Sequence, residues 1–409
     1  MALRKGPDLT EIHRPGGVPP AGRFALAAAL CSSLGQTFFI GLFGAEFRLE
    51  FGLGESALGL LYGAATLASG LLMFWLGAIA DHLAMRRAIA IAMLGLAIGA
   101  GLIATAANIG WLVMGLFLIR LSGQGLAGHL AVVAAARYAL RRRGRAVAMA
   151  TYGFIFGEAL FPLGVALAMG WLDWRGVWTL AAGFALVLAL PMLWLLARPL
   201  QHPKAPAADR ASTQPLLKRG RLMRHGGFLR VLGVVLVPPV VVTAVFLHQG
   251  TLAEKLDWAL TDVASGFVLF AAIQGVFAFA GGRLIDRFSA RALLRFSLLP
   301  AGLGLLSLSI TPPDLALWLL FAGLGMTAGL NGVISGAVWV ELFGTAQLGM
   351  IRGVYAALMV ISTALGPVGL GLLFDLDVPL RAMALGYLAY AIVLPPILVP
   401  GMRGFPSNN

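Results

Sequence analysis

Two ionisable side chains lie deep inside long apolar runs. In FLIRLSGQGLAG, which begins at Phe117, the charge is Arg120; in GFIFGEALFPLG, from Gly153 to Gly164, it is Glu158. A guanidinium held away from water is an anion-binding group, and a carboxylate there carries a proton or pairs with a cation. Facing hydrocarbon, each would cost several kcal/mol, so each faces the protein interior or a partner. Two roles stay open. The two charges form an ion pair that only fixes helix packing, or they exchange partners, Arg120 taking an anion and Glu158 a proton. A moving cation beside a desolvated carboxylate switches its proton on and off, which is a coupling mechanism. Pro162 sharpens the locale: without an N–H it leaves the Glu158 carbonyl without its helical partner.

Weaker polar candidates surround the pair. Gln124 is one turn from Arg120 on the same helical face. Gln36, Gln274 and Asn331 either line a solute path or bond between helices. His129 is expected in a hydrogen bond at a helix end, and His248 in solvent at the outer rim. Tyr62, Tyr152 and Tyr355 serve packing as readily as function. Gly99, Gly101, Gly123, Gly125, Gly128, Gly323, Gly325 and Gly329 are expected to permit close helix contact.

The elements that must position these residues follow from composition. The 409 residues are 59% hydrophobic and 11% charged. A chain with so few charges cannot cover itself in water and reads as a polytopic membrane protein. A spanning helix needs about 20 mainly apolar residues, and the chain offers twelve such stretches: 24–44, 56–78, 87–106, 111–133, 146–168, 177–197, 228–247, 263–282, 293–310, 315–342, 349–374 and 382–399. Arg120 lies about 14 Å into the fourth from one face, and Glu158 about 18 Å into the fifth from the other. In a core about 30 Å thick, both fall near the midplane.

Lys and Arg gather on one side of this arrangement. With the N-terminus cytosolic, Arg86, Arg87, Arg137, Arg141 to Arg143, the linker arginines and Arg283 to Arg295 all fall inside, while outer loops carry Glu46, Glu50, Glu55, Asp173, Glu254, Asp257, Asp314 and Asp375. The net charge of +13 is therefore a topology signal, with anionic lipid headgroups as partners and no role for nucleic acid. The expected location is the inner cell membrane, multi-pass, with both termini cytosolic. Residues 1–23 read as a polar tail with no cleavable signal, 24–200 as a six-helix bundle, 201–227 as a Pro-rich basic linker, 228–400 as a second bundle, and 401–409 as a tail. Cys31, the one cysteine, excludes an internal disulfide.

The two bundles are an internal repeat. At one offset of 205, Gly77 matches Gly282, Asp81 matches Asp286, Arg86 matches Arg291, Gly144 matches Gly349, Pro162 matches Pro367 and Gly164 matches Gly369. Glu158 instead meets Thr363, and Arg120 meets Gly325. Scaffold positions recur in both halves; these charges do not, which marks them for function.

GAIADHLAMRRA, from Gly77, and its echo GRLIDRFSARAL, from Gly282, resemble the signature loop of the major facilitator superfamily. The Arg-x-x-x-Gly pattern of FLIRLSGQGLAG and the Gly- and Pro-rich GFIFGEALFPLG are similar to that family's fourth and fifth spans. The resemblance covers the whole chain. The fifth-span pattern departs from drug/proton antiporters in lacking a Gly-Pro pair and in inserting Glu158, and the segment from Glu341 to Gly371 is more similar to carriers of small organic anions of the monocarboxylate and oxalate/formate type.

The resemblance implies an all-α membrane fold of two pseudo-symmetric six-helix bundles rocking about a midplane site. It also implies that Gly77, Asp81, Arg86, Arg87, Gly282, Asp286 and Arg291 form a cytosolic gate. The carboxylates there would accept bonds from arginines and helix N-termini and hold that side shut.

Three function classes compete. A membrane enzyme would need a catalytic constellation, and the chain has no HExxH and no Walker sequence. No cofactor is expected. A non-transporting sensor would carry a signalling domain. A secondary transporter fits best, acting as a monomer on a small-molecule substrate. Arg120 and the subfamily resemblance favour an organic anion coupled to protons; Glu158 and the aromatic, Met-containing spans would equally suit export of lipophilic cations.

Overall fold

Apolar runs of this length have one solution in a bilayer, since every backbone N–H and C=O must be satisfied within the segment. The computed structural model, which describes residues 19–77, 79–139, 143–200, 219–344 and 348–399, is all-helical among those residues. Among the described residues eleven helices are long and apolar enough to cross a membrane, and a bent pair, taken as one span, makes a twelfth. The pair is α1, Pro20–Gly35 and Thr37–Phe51. The others are α2 Glu55–Leu76, α3 Met85–Ala104, α4 Ile109–Tyr138, α5 Gly144–Met169, α6 Trp174–Leu196, α7 Gly226–Leu247, α8 Leu260–Phe288, α9 Ala290–Ile310, α10 Pro313–Phe343, α11 Leu348–Asp375 and α12 Leu380–Leu398. Each expected span is found. Most of the tails and of the 201–227 linker lie outside the described residues, apart from a short helix Arg219–Leu222.

Short polar signals set the helix ends. Asn108 Oδ1 accepts the Trp111 N–H at 3.1 Å to start α4, and Asp173 Oδ1 accepts the Gly176 N–H at 2.8 Å to start α6. Gly52, at φ 62°, ends α1 in the left-handed conformation that costs glycine nothing. Pro162 and Pro367 sit inside α5 and α11 at matching repeat positions.

Small residues let the helices close up, as expected for Gly99, Gly123, Gly325 and Gly329. A Cβ on Gly99 would meet the Ile119 backbone nitrogen at 2.9 Å, and one on Gly325 the Phe270 carbonyl at 2.6 Å. Gly101 departs from the expectation, because it faces open space. Aromatic side chains fill the interior. Phe39 and Phe43 pack on fully buried Trp178 in the first half, and Phe246 packs on Phe270 in the second.

The halves meet along α2 and α11, α5 and α8, and α1 and α7. Gly59 and Gly63 lie against the Pro367 and Ala364 carbonyls, and Gly41 and Gly44 against Phe246 and Leu247. These contacts sit toward the end of α2 that begins at Glu55. Toward its other end Leu71, Phe74 and Trp75 are exposed, as are Arg352, Gly353, Ala356 and Ala357 on α11. The halves are thus closed at the Glu55 face and part at the face of the 77–86 and 282–291 loops.

Candidate functional site

The centre of the first half is a break in α1. Gln36 is extended, with φ −87° and ψ 155°, and the helix bends there by 41°. Gly35 makes the break compact: a Cβ on it would meet Gly123 Cα at 2.8 Å and the Gln124 backbone nitrogen at 2.9 Å, so α1 and α4 cross backbone to backbone. From Arg120 to Ala127, α4 runs as a π-helix, a form frequent at functional sites. Gln124 lies half-buried within it. A second such stretch, Phe184–Ala189, lies in α6.

Arg120, 2% exposed, occupies the crossing. Its Nη1 donates to the Gly35 carbonyl at 3.0 Å and its Nε to Thr66 Oγ1 at 3.1 Å. The Tyr62 ring lies beneath the guanidinium, 5.0 Å from Cζ, and the Tyr62 hydroxyl is hydrogen-bonded to Thr37 Oγ1. A cation thus caps the carbonyl end of the first helical segment, where the backbone dipoles favour positive charge. Thr37, Tyr62 and Thr66 support the site, and sequence reading missed two of them as neighbours of Arg120 and left Tyr62 open. Their signal was polarity at helical spacing on an apolar span.

Glu158 does not pair with Arg120. Its Oε2 is cut off from solvent and has no hydrogen-bond partner among the described residues. Arg120 turns instead to α1 and α2, while α1 also packs against α5. Arg120 touches one side of the break at Gly35; on the other side Gly157 abuts the Ser33 side chain, next to Glu158. The two charges flank one turn of α1, which fits the equal depth expected from sequence and corrects the ion-pair reading. Ser33 Oγ is also buried without a partner among the described residues.

The second half contributes two more unpaired acceptors. Gln274 on α8 and Asn331 on α10 each hold a buried side-chain oxygen without a partner among the described residues. Gln274 precedes Gly275, where a Cβ would lie 3.7 Å from Ile155 of α5, so it lies on the seam with the helix that carries Glu158. Asn331 is near the Tyr355 hydroxyl, along with Ser335.

The loop residues fall into local contacts. The Gly77 carbonyl is hydrogen-bonded to His129 Nε2 at 2.9 Å, the helix-end bond expected for His129. Arg86 stacks on Trp194, 3.4 Å from Cζ to the ring centroid, and Arg87 is exposed. The Asp81 side chain lies outside the described residues. Gly282 is half-buried near the end of α8, and Asp286 is exposed there. The helix N-terminus expected to bond a loop aspartate is taken by Glu341 of α10 instead. Glu341 Oε1 accepts the Ala290 N–H at 2.6 Å, and Oε2 lies 3.5 Å from Arg291 Nε.

The opposite face carries a network that sequence reading placed in solvent. His248, 1% exposed, lies with Nδ1 2.9 Å from Glu55 Oε2 and Nε2 2.8 Å from the Pro367 carbonyl. Glu55 Oε1 accepts from Thr251 at 2.6 Å and pairs with Arg48 at 3.0 Å, and Arg48 reaches Glu254 at 3.1 Å. The Asp375 carboxylate accepts the N–H groups of Glu55 and Ser56, and Gln249 donates to the Phe38 carbonyl at 3.0 Å. Apart from the local Arg48–Glu55 pair, these contacts join residues 119 to 320 positions apart, beyond the reach of any spacing argument.

Comparison with known proteins accounts for this architecture. The family model described as Major Facilitator Superfamily matches residues 25–248 and 240–408. Among solved structures, the nucleoside transporter NupG shares the fold with a TM-score of 0.69 at 13% identity, over 92% of this chain and 98% of that one. A D-xylose-proton symporter has a TM-score of 0.67 at 17% identity, over 93% and 96%. A curated relative, the class H tetracycline resistance protein of Pasteurella multocida, is 30% identical over 159 residues. That match spans 36% of this chain and 36% of the relative's length.

Proposed function

The chain belongs to the major facilitator superfamily, and from that premise we propose that it couples solute movement to protons, with Glu158 as the proton-carrying group. As a member it is a non-enzymatic secondary transporter of a small molecule, spanning the membrane many times. One observation carries the coupling: a carboxylate oxygen buried at mid-span with no partner among the described residues. Such a group is tolerable when protonated or when a ligand supplies the donor, and costly otherwise.

The solute best supported is a neutral or cationic organic molecule bearing N–H or O–H donors. Glu158 Oε2, Gln274 Oε1 and Asn331 Oδ1 are acceptors in need of one, and the Ser33 hydroxyl can accept or donate. The organic-anion reading rested on Arg120 and the subfamily resemblance, and Arg120 already gives its Nη1 to the Gly35 carbonyl and its Nε to Thr66. The partial similarity to a tetracycline resistance protein adds support for an organic solute of that general size and for export. In this reading the two six-helix halves, 24–200 and 228–400, rock about α1 and α7. The 77–86 and 282–291 loops act as the cytosolic gate. The basic loops favour both termini in the cytosol of an inner membrane rich in anionic lipid, and a monomer suffices.

The test is transport in liposomes that enclose a pH dye, after thermal-shift screening against carboxylates, lipophilic cations, sugars and nucleosides. Solute-driven proton flux that disappears in Glu158→Gln, while that variant still binds solute, supports the reading. A carboxylate that stabilises the protein, with that effect lost in Arg120→Lys, would return the site to the anion class.

A further inference from the structure

The geometry points to a second proton-binding site, at the seam between the halves, formed by His248 with Glu55 and distinct from Glu158. It follows from counting hydrogen atoms. His248 faces an oxygen from each ring nitrogen, Glu55 Oε2 at 2.9 Å and the Pro367 carbonyl at 2.8 Å. A carbonyl only accepts, and so does an ionised carboxylate, whereas a neutral imidazole has one N–H to give. A neutral histidine beside an ionised Glu55 would therefore press a nitrogen lone pair against an oxygen lone pair, at a ring that is buried from solvent.

One added proton removes the conflict. It makes the ring an imidazolium donating from both nitrogens, or it sits on Glu55, which then donates to Nδ1 while Nε2–H donates to Pro367. The closed face requires that proton wherever it resides.

The groups around the pair do not supply it by themselves. Arg48 and the Thr251 hydroxyl both donate to Glu55 Oε1, leaving Oε2 to His248. From α11, the Asp375 carboxylate is occupied by the Glu55 and Ser56 N–H groups, and Phe374 packs its ring against the imidazole, 5.8 Å between centroids. Glu254 pairs with Arg48, Lys255 lies over the Phe374 ring, and Glu46 lies near Glu254 and Arg48.

Glu55 belongs to the first half of the chain, and His248 and Pro367 to the second. Opening this face separates them and frees both groups to water, which donates to one oxygen and accepts from one N–H without the added proton. At neutral to alkaline pH, where a solvated imidazole and a solvated carboxylate are both deprotonated, the closed form therefore holds one proton more than the open form. Its weight falls as pH rises, by up to about tenfold per pH unit. The pair thus ties opening of this face to proton release on that side.

The experiment is pulsed spin-label distance measurement on the full chain in nanodiscs. Labels go at Trp171→Cys and Asp314→Cys, both exposed residues of this face in opposite halves, with Cys31→Ala to remove the native thiol. Between about pH 6.5 and 8.5 the population with the long distance should rise by up to about tenfold per unit, and should do so equally in Glu158→Gln. Glu55→Gln is the decisive variant: its amide donates to Nδ1 while its oxygen still accepts from Arg48 and Thr251, so the short distance should persist at every pH. His248→Gln should also be insensitive to pH. A wild-type distribution that does not move with pH overturns the proposal. So does a Glu55→Gln variant that titrates like wild type, or a response abolished by Glu158→Gln.

Discussion

Replacing Arg120 with alanine should unfold the first half of the protein more readily, whether or not any ligand is bound. The side chain makes two charge-assisted bonds, to the Gly35 carbonyl and to Thr66 Oγ1, and rests on Tyr62. Each such bond is worth about 1.5–3 kcal/mol, and a buried carbonyl left without a donor costs about 1–3 kcal/mol. Against this stands the desolvation cost of the guanidinium itself, which the alanine variant no longer bears. A net loss of about 3–5 kcal/mol is expected, in line with other buried charged groups whose partners are stranded.

The assay is apparent melting of the ligand-free protein in detergent, read as the monodisperse fraction after heating. Thr66→Val provides the second arm. Because the two side chains share a bond, the double variant should fall short of additivity by about 0.5–3 kcal/mol. Arg120→Lys should recover only part of the loss, since one ammonium cannot reproduce a fork that reaches two acceptors. An Arg120→Ala protein that melts with the wild type but loses solute binding would refute the bracing role and restore Arg120 to the substrate.

Glu158→Gln should raise ligand-free thermal stability while abolishing pH-dependent transport, because the amide removes a buried charge-forming group that has no partner among the described residues. Gly59→Ala should disfavour closure at the Glu55 face, since a Cβ there would meet the Pro367 carbonyl at 2.6 Å; overpacking of this kind costs about 1–3 kcal/mol and would appear as a longer spin-label distance. Glu341→Ala should destabilise by about 0.5–2 kcal/mol through loss of the cap on Ala290 and Arg291, measurable by thermal melting. A Gly35→Ala variant should show little monodisperse protein by size-exclusion chromatography, as its Cβ has nowhere to go at the crossing with α4.

Hydrophobic run length alone determined that this chain spans a membrane, and how many times, because the bilayer imposes one length on every helix. The repeat at one offset located its two halves, and the positions of Pro162, Pro367, Gly77 and Gly282 within them. Local chemistry was legible as well: the His129 bond at a helix end, and the shared level of Arg120 and Glu158, which both fall beside residues 33–35 of α1. Only the tertiary structure decided who touches whom. Depth along a helix says nothing of which neighbour a side chain turns to, and Arg120 turns to Gly35 and Thr66 rather than to Glu158. The break at Gln36 was equally hidden, since Ser-Leu-Gly-Gln carries no proline to announce it. His248 read as solvated because sequence places a residue at the end of a span but cannot show that the other half of the chain will close over it. That closure joins residues whose partners lie up to 320 positions away, where periodicity and spacing carry no signal.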